Sequence, residues 1–179
     1  MVLDALAGRT VLVTGVTGFL GQAVLERLLA DLPQTSVVAL VRPRNGADAE
    51  TRLRDLLTQP IFSRWRERVG DEQVEATVAE RVRVVSGDLA EGPPDVPDDV
   101  DVVVHCASTV SFDPTIDEGF RTNLLGTVHL HEALRTAGIR PHVVHVSTAY
   151  VAGVSRGVVR EEPLGHSADW RTELDAALA

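Results

Sequence analysis

Three glycines in the segment Thr14-Gly15-Val16-Thr17-Gly18-Phe19-Leu20-Gly21 are spaced to bring main chain against a phosphate. The segment follows the apolar run at residues 10–13 and opens an amphipathic stretch at 19–32, so it reads as strand, glycine turn and helix. Gly15 permits the tight turn, Gly18 lets the backbone approach a pyrophosphate, and Gly21 lets the helix pack closely on its strand. A helix N-terminus presents free N–H groups there, so Thr17, Phe19 and Leu20 join the three glycines as candidate ligand-binding residues. The plain alternative is a turn before a helix. Its place after a first strand, inside a strand-helix-strand unit, favours a dinucleotide site.

About 20 positions past such a loop, dinucleotide folds place either an acid on the ribose 2′-OH or an arginine that accommodates a 2′-phosphate. Here Val41 leads into Arg42-Pro43-Arg44, and no Asp or Glu ends the second strand. Arg42, with Arg44 to assist, predicts NADP rather than NAD; the alternative is a surface arginine beside a proline turn.

These residues need a scaffold, and 179 residues suffice for one domain with a sizeable core. The net charge of -9 argues against nucleic acid and against an anionic membrane surface. There is no apolar run of about 18 residues, hence no integral membrane segment is expected. The single cysteine, Cys106, has no internal disulfide partner, which fits a reducing cytoplasm. All 17 basic residues are arginine; lysine is absent.

Five apolar runs read as strands: residues 10–13, 36–41, 81–85, 101–105 and 143–146. Helical periodicity lies between them. The first helix carries Leu20, Val24 and Leu28 on one stripe, with Leu25, Leu29 and Leu32 alongside and Glu26, Arg27 and Asp31 elsewhere. About 40 residues separate the second strand from the third, more than the roughly dozen that a crossover needs, so 42–80 reads as a helical insertion. Helices are predicted at 47–57 and 61–69, the second presenting Arg64 and Arg68 on one face, a solvated arginine face or an anion patch. A long helix at 115–137 carries Ile116, Phe120, Leu124 and Val128 on one stripe, and its Gly126 signals a close approach to a neighbour. A last helix begins near Ser167. Strands alternating with helices predict an α/β Rossmann-type, doubly wound parallel sheet in the order 3-2-1-4-5. Ligands then bind at the carboxyl ends of the strands, where Asp88-Leu89, Cys106 to Ser108 and Ser147-Thr148 also fall.

Six segments in one order resemble the extended short-chain dehydrogenases/reductases, and within them the fatty acyl-CoA reductase and thioester reductase branch. They are TGVTGFLG at 14–21, VRP at 41–43, GDL at 87–89, HCASTVSFD at 105–113, NLLGT at 123–127 and HVSTAYV at 145–151. The resemblance implies that Asp88 and Leu89 contact adenine and that Ala107 and Ser108 run under the cofactor ribose. It implies that Asn123 supports the site from its helix, and that Thr148, with Ser147 beside it, holds the substrate carbonyl. On the residues alone, Asn123 is a helix residue bonded to backbone, and Ser147 and Thr148 are turn residues.

The same resemblance implies Tyr-x-x-x-Lys chemistry, which this chain lacks. Tyr150 is its one tyrosine, is followed at i+4 by Val154, and reads as a half-buried aromatic at a strand end. The expectation is therefore an N-terminal NADP-binding part over residues 1–179, truncated before the substrate-binding part of a longer enzyme. That enzyme would reduce a fatty acyl thioester, on CoA or an acyl carrier, to aldehyde or alcohol. A nucleotide-sugar epimerase or dehydratase shares the glycine loop and is the alternative enzyme, and a non-catalytic dinucleotide-binding module is the alternative from another class. His129 with His131, and His142 with His145, diverge from one another, so no metal site is expected. Cys106 reads as a small buried residue.

Overall fold

The computed structural model describes residues 2–111, 115–153, 157–162 and 167–179. A short helix α1 (Val2–Leu6) precedes strand β1 (Thr10–Thr14), whose unbroken run TVLVT is buried throughout because the strand lies at the centre of the sheet. Helix α2 (Phe19–Asp31) crosses over one face to β2 (Ser36–Val41). The insertion follows as α3 (Ala49–Leu57), a tight turn at Pro60–Phe62, α4 (Ser63–Val69) and α5 (Asp71–Arg81). After it come β3 (Val82–Ser86) and β4 (Val102–His105). A helical stretch then runs as α6 (Ile116–Gly119), a π-helical segment (Phe120–Leu125) and α7 (Gly126–Thr136), before β5 (His142–His145) and a terminal helix α8 (Trp170–Leu178).

The sheet is all parallel in the predicted order, β3-β2-β1-β4-β5. Strand side chains alternate between its faces. Val11, Val13, Val37 and Ala39 meet α2 and the insertion on one side, through Leu25, Leu28, Leu53, Phe62 and Trp65. Leu12, Val38, Leu40 and Val103 meet Leu130, Ala133 and Leu134 of α7 on the other, with Leu89, Val96 and Val100. Register pairs Thr14 with His105, Val41 with Ser86 and His105 with His145, so four strands reach their carboxyl ends together with β1. No helix among the described residues is long and apolar enough to cross a membrane.

Several sequence expectations need correction. The insertion holds three helices, not two: α5 (DEQVEATVAER) offers only Val74 and Val78 as larger apolar residues, too narrow a stripe to show as periodicity. Glu26 is buried, because the Pro60–Phe62 turn packs over that side of α2, and its carboxyl group lies 3.0 Å from the Arg27 guanidinium. Along the long helix the stripe of Ile116, Phe120, Leu124 and Val128 does not face the core. Ile116 is exposed, whereas Gly126, Leu130, Ala133 and Leu134 are buried. The π-helical segment widens the turn and rotates the face that follows it.

Arg81 ends α5 rather than opening β3. Its guanidinium reaches across to the carboxyl end of α2 and donates to the carbonyls of Leu28 (3.0 Å), Leu29 (3.1 Å), Leu32 (2.5 Å) and Thr35 (2.8 and 3.0 Å). The last carbonyls of a helix have no intrahelical donor, and a cation suits the negative end of the helix dipole. Burial lowers the Arg81 pKa, with Glu80 opposing it, so the pairing is made at a desolvation cost. Arg81→Met, which keeps the stem and removes the donors, is expected to destabilise the fold by about 2–3 kcal/mol in urea unfolding. An unchanged midpoint would show that water replaces the guanidinium without loss.

Candidate functional site

The glycine turn is fixed by its neighbours. Gly15 has φ +69, and a Cβ there would stand 2.7 Å from the Ala107 nitrogen and the Cys106 carbonyl carbon. Both conformation and space therefore require glycine, because the β1 turn rests against the chain leaving β4. A Cβ on Gly21 would overlap the Gly15 carbonyl, so the third glycine seats α2 on the turn itself. The Gly18 N–H closes the turn on the Gly15 carbonyl at 2.8 Å, and no side chain caps the helix. The N–H groups of Phe19, Leu20 and Gly21 are then the free donors of the first turn. The Phe19 and Leu20 side chains point to solvent, so their contribution is main chain.

A cleft of about 210 Å³ opens at these carboxyl ends. It brings together eight of the residues singled out from the sequence: Gly15, Thr17, Gly18, Arg42, Asp88, Leu89, Ala107 and Ser108. Leu40, Gly87, Ala90, Cys106 and Thr122 complete the lining. Arg44, Asn123, Ser147 and Thr148 stand outside it, as do Phe19, Leu20 and Gly21.

At the β2 end, Arg42 pairs with Asp88 at 3.2 Å, and Asp88 also accepts the Ala90 N–H at 3.0 Å. The chain then doubles back: Arg44 and Ala47 exchange backbone hydrogen bonds around Asn45 (φ 54) and Gly46 (φ 80). That turn returns α3 to β2, and Arg52 donates to the Arg42 carbonyl. Burial first, then the charges of Arg42 and Arg44, lower the Arg52 pKa. Sequence reasoning missed this third arginine, whose only signal was the Asn-Gly turn before its helix.

Asn123 clamps the main chain after β4, accepting the Thr109 N–H at 2.8 Å and donating to the Thr109 carbonyl at 3.2 Å. Ser147 and Thr148 leave β5 exposed, and the Thr148 hydroxyl accepts the Tyr150 N–H at 3.2 Å, capping the turn Ala149–Ala152. Tyr150 is 77% exposed rather than half-buried, because that turn swings its ring outward. Phe112 and Asp113 of the HCASTVSFD segment lie outside the described residues. Arg64 and Arg68 do not gather an anion site: Arg68 donates to the Ala30 carbonyl and lies 3.9 Å from Asp31. Among the described residues no cluster of three His, Cys, Asp or Glu is arranged for a metal.

Cys106 lines the cleft and is half-buried rather than buried, because the β4 exit opens there, and His105 sits beneath it. Burial raises the Cys106 thiol pKa, the opposite of what a thiolate nucleophile needs. Burial, then the charges of His145 and His131, lowers the His105 pKa to about 4. His105 is therefore neutral in the folded protein at pH 7.

A doubly wound parallel sheet with a glycine turn at its β1/β4 switch point defines a dinucleotide-binding fold. The model of a nicotinamide-dinucleotide-binding family described as Male sterility protein matches residues 13–178, and the chain belongs to that family. It is 32% identical over 169 residues to a probable fatty acyl-CoA reductase 5 of Arabidopsis thaliana, covering 88% of this chain and 34% of that protein. It is likewise 32% identical over 152 residues to fatty acyl-CoA reductase 1 of Gallus gallus, covering 80% of this chain and 28% of that one. The chain thus spans about a third of the length of these curated relatives. Among solved structures, the terminal R domain of the myxalamid PKS-NRPS pathway shares the fold, with TM-score 0.68 at 24% identity over 96% of this chain and 45% of that domain.

The His105 environment predicts a pH dependence. Above about pH 6.5 the imidazole is neutral folded and unfolded; between there and about pH 4 only the unfolded chain takes the proton, so stability falls as pH falls. The loss attributable to His105 is on the order of 2 kcal/mol. Urea unfolding across this range should show a steeper decline for the wild type than for His105→Asn. Parallel declines would contradict a buried neutral imidazole.

Proposed function

We propose that this chain is the NADPH-binding part of a reductase that delivers hydride to a fatty acyl thioester, carried on CoA or an acyl-carrier domain. The product is an aldehyde or, after a second hydride, an alcohol. The observation that carries the reading is Arg42 at the end of β2, which lines a cleft whose other wall is the glycine turn, with Arg52 held on its backbone carbonyl and Arg44 just outside the cleft. An arginine there suits the 2′-phosphate that distinguishes NADPH from NADH. The glycine turn fits the pyrophosphate, since a Cβ at Gly15 or Gly21 would fill the cradle and the first turn of α2 offers free donors.

The remaining roles follow the cleft. Asp88 and Leu89 hold adenine, and Ala107 and Ser108 form the floor under the ribose, with Asn123 fixing the chain beyond them. The bound cofactor supplies the hydride. Thr148 polarises the acyl carbonyl: its oxygen takes the Tyr150 N–H, which leaves its O–H free to donate to the substrate, and Ser147 assists. The substrate class rests on the relatives, which are named fatty acyl-CoA reductases. A cytoplasmic setting fits the single cysteine.

Calorimetric titration is expected to show tighter binding of NADPH than NADH. Arg42→Ala and Arg52→Ala should each weaken NADPH by about 1.5–3 kcal/mol while leaving NADH unchanged. Equal affinities for the two cofactors would sink the 2′-phosphate assignment. With an acyl-CoA present, the chain should bind NADPH without consuming it, since it has no lysine to complete a Tyr-x-x-x-Lys pair; measurable turnover would refute this.

A further inference from the structure

The glycine turn and the helix that carries Asn123 lie on opposite sides of β4, and a buried side chain joins them. His105 is 2% exposed, and its ring is covered from the β5 side by His145, with ring centres 5.2 Å apart. The Thr14 hydroxyl, fully buried, accepts the Ala107 N–H at 3.1 Å and stands 2.6 Å from His105 Nδ1. A hydroxyl has one proton to give, and Thr14 has that proton free for Nδ1. Because the Thr14 oxygen has a second lone pair that could also accept, the other ring nitrogen decides the tautomer.

His105 Nε2 is 3.2 Å from the Thr127 hydroxyl, and Thr127 donates its own proton to the Asn123 carbonyl at 2.8 Å. The Thr127 oxygen can therefore only accept from the ring, so Nε2 carries the single proton of the neutral imidazole and Nδ1 accepts from Thr14. Asn123 closes the path by gripping both backbone groups of Thr109. One directed run of hydrogen bonds thus passes from Ala107 through Thr14, His105 and Thr127 to the Asn123 carbonyl, and the Asn123 side chain joins it to Thr109. It starts and ends on the strand exit that floors the cleft.

We propose that His105, held as its Nε2–H tautomer, is a positioning residue that keeps the Ala107–Ser108 floor aligned with the glycine turn and with Asn123. The proposal rests on reading the cleft as the dinucleotide site. Alignment matters because the Gly15 backbone lies against Ala107, so a displaced floor displaces the pyrophosphate turn with it. The adenine end depends on Asp88 and the arginines, which the relay does not touch.

Two measurements test this. Nitrogen-15 NMR of histidine-labelled protein should show His105 bare at Nδ1 and protonated at Nε2; the opposite tautomer would overturn the proposal. Thr127→Val removes the acceptor of Nε2–H without touching the ring. It should speed amide exchange at Ala107 and Thr109 and weaken NADPH by about tenfold, while 2′,5′-ADP, which carries only the adenine end, changes by less than about twofold. Thr127→Ser should restore both. His105→Asn, which lacks the Nε2 donor, should repeat the Thr127→Val pattern. Equal weakening of both ligands, or weakening of neither, would reduce His105 to a packing residue and refute the proposal. A wild-type chain that binds neither ligand while showing the expected tautomer would instead refute the cofactor reading beneath it.

Discussion

The structure turns on how closely the exit of β1 approaches the exit of β4. At Gly15 the main chain comes so near the Cys106–Ala107 peptide that no side chain fits between them. That contact places the first turn of α2 over the switch point of the sheet, where neighbouring crossovers leave in opposite directions and a crevice opens. Gly21 makes the same demand one step later by seating α2 on the turn. The buried Thr14–His105 pair then holds the two strand ends at that spacing from below. Free N–H donors, a narrow floor and a fixed distance between them all follow from one close backbone contact.

The insertion between β2 and β3 serves the site as well as the core. Its first helix returns Arg52 to the end of β2, where it holds the Arg42 carbonyl while the Arg42 guanidinium pairs with Asp88. Its third helix sends Arg81 to the end of α2, whose other end is the glycine turn. The helix that presents donors at its N-terminus is therefore anchored by a cation at its C-terminus. Both ends depend on a segment that strand-helix alternation alone does not call for.

The strand order and the glycine turn were legible because each depends on local signals: unbroken apolar runs, a proline or glycine stop, and three glycines with a helical stripe behind them. Arg42, Asp88 and Ala107 were legible for the same reason, as residues at strand ends. What stayed hidden depends on distant partners. Arg52 looked like one more exposed helix arginine until the Asn45-Gly46 turn folded its helix back. His105 looked like the last residue of a strand, and only the pairing of Thr14 with His105 across the sheet gave it a hydroxyl on each ring nitrogen. The rotated face of α7 was invisible because a π-helical turn leaves no mark in hydrophobic spacing.

The central claim is that one cleft, between the glycine turn, Arg42 and the Ala107–Ser108 floor, receives a nicotinamide dinucleotide. Two-dimensional amide NMR of the labelled chain titrated with NADPH tests it most directly. The account predicts saturable shifts at Phe19 to Gly21, at Arg42, at Asp88–Leu89 and at Ala107–Ser108, with little change in a separate groove between α3 and α5, lined by Leu53, Leu57, Val74 and Val78. Shifts confined to that groove, or none at the first turn of α2, would contradict it.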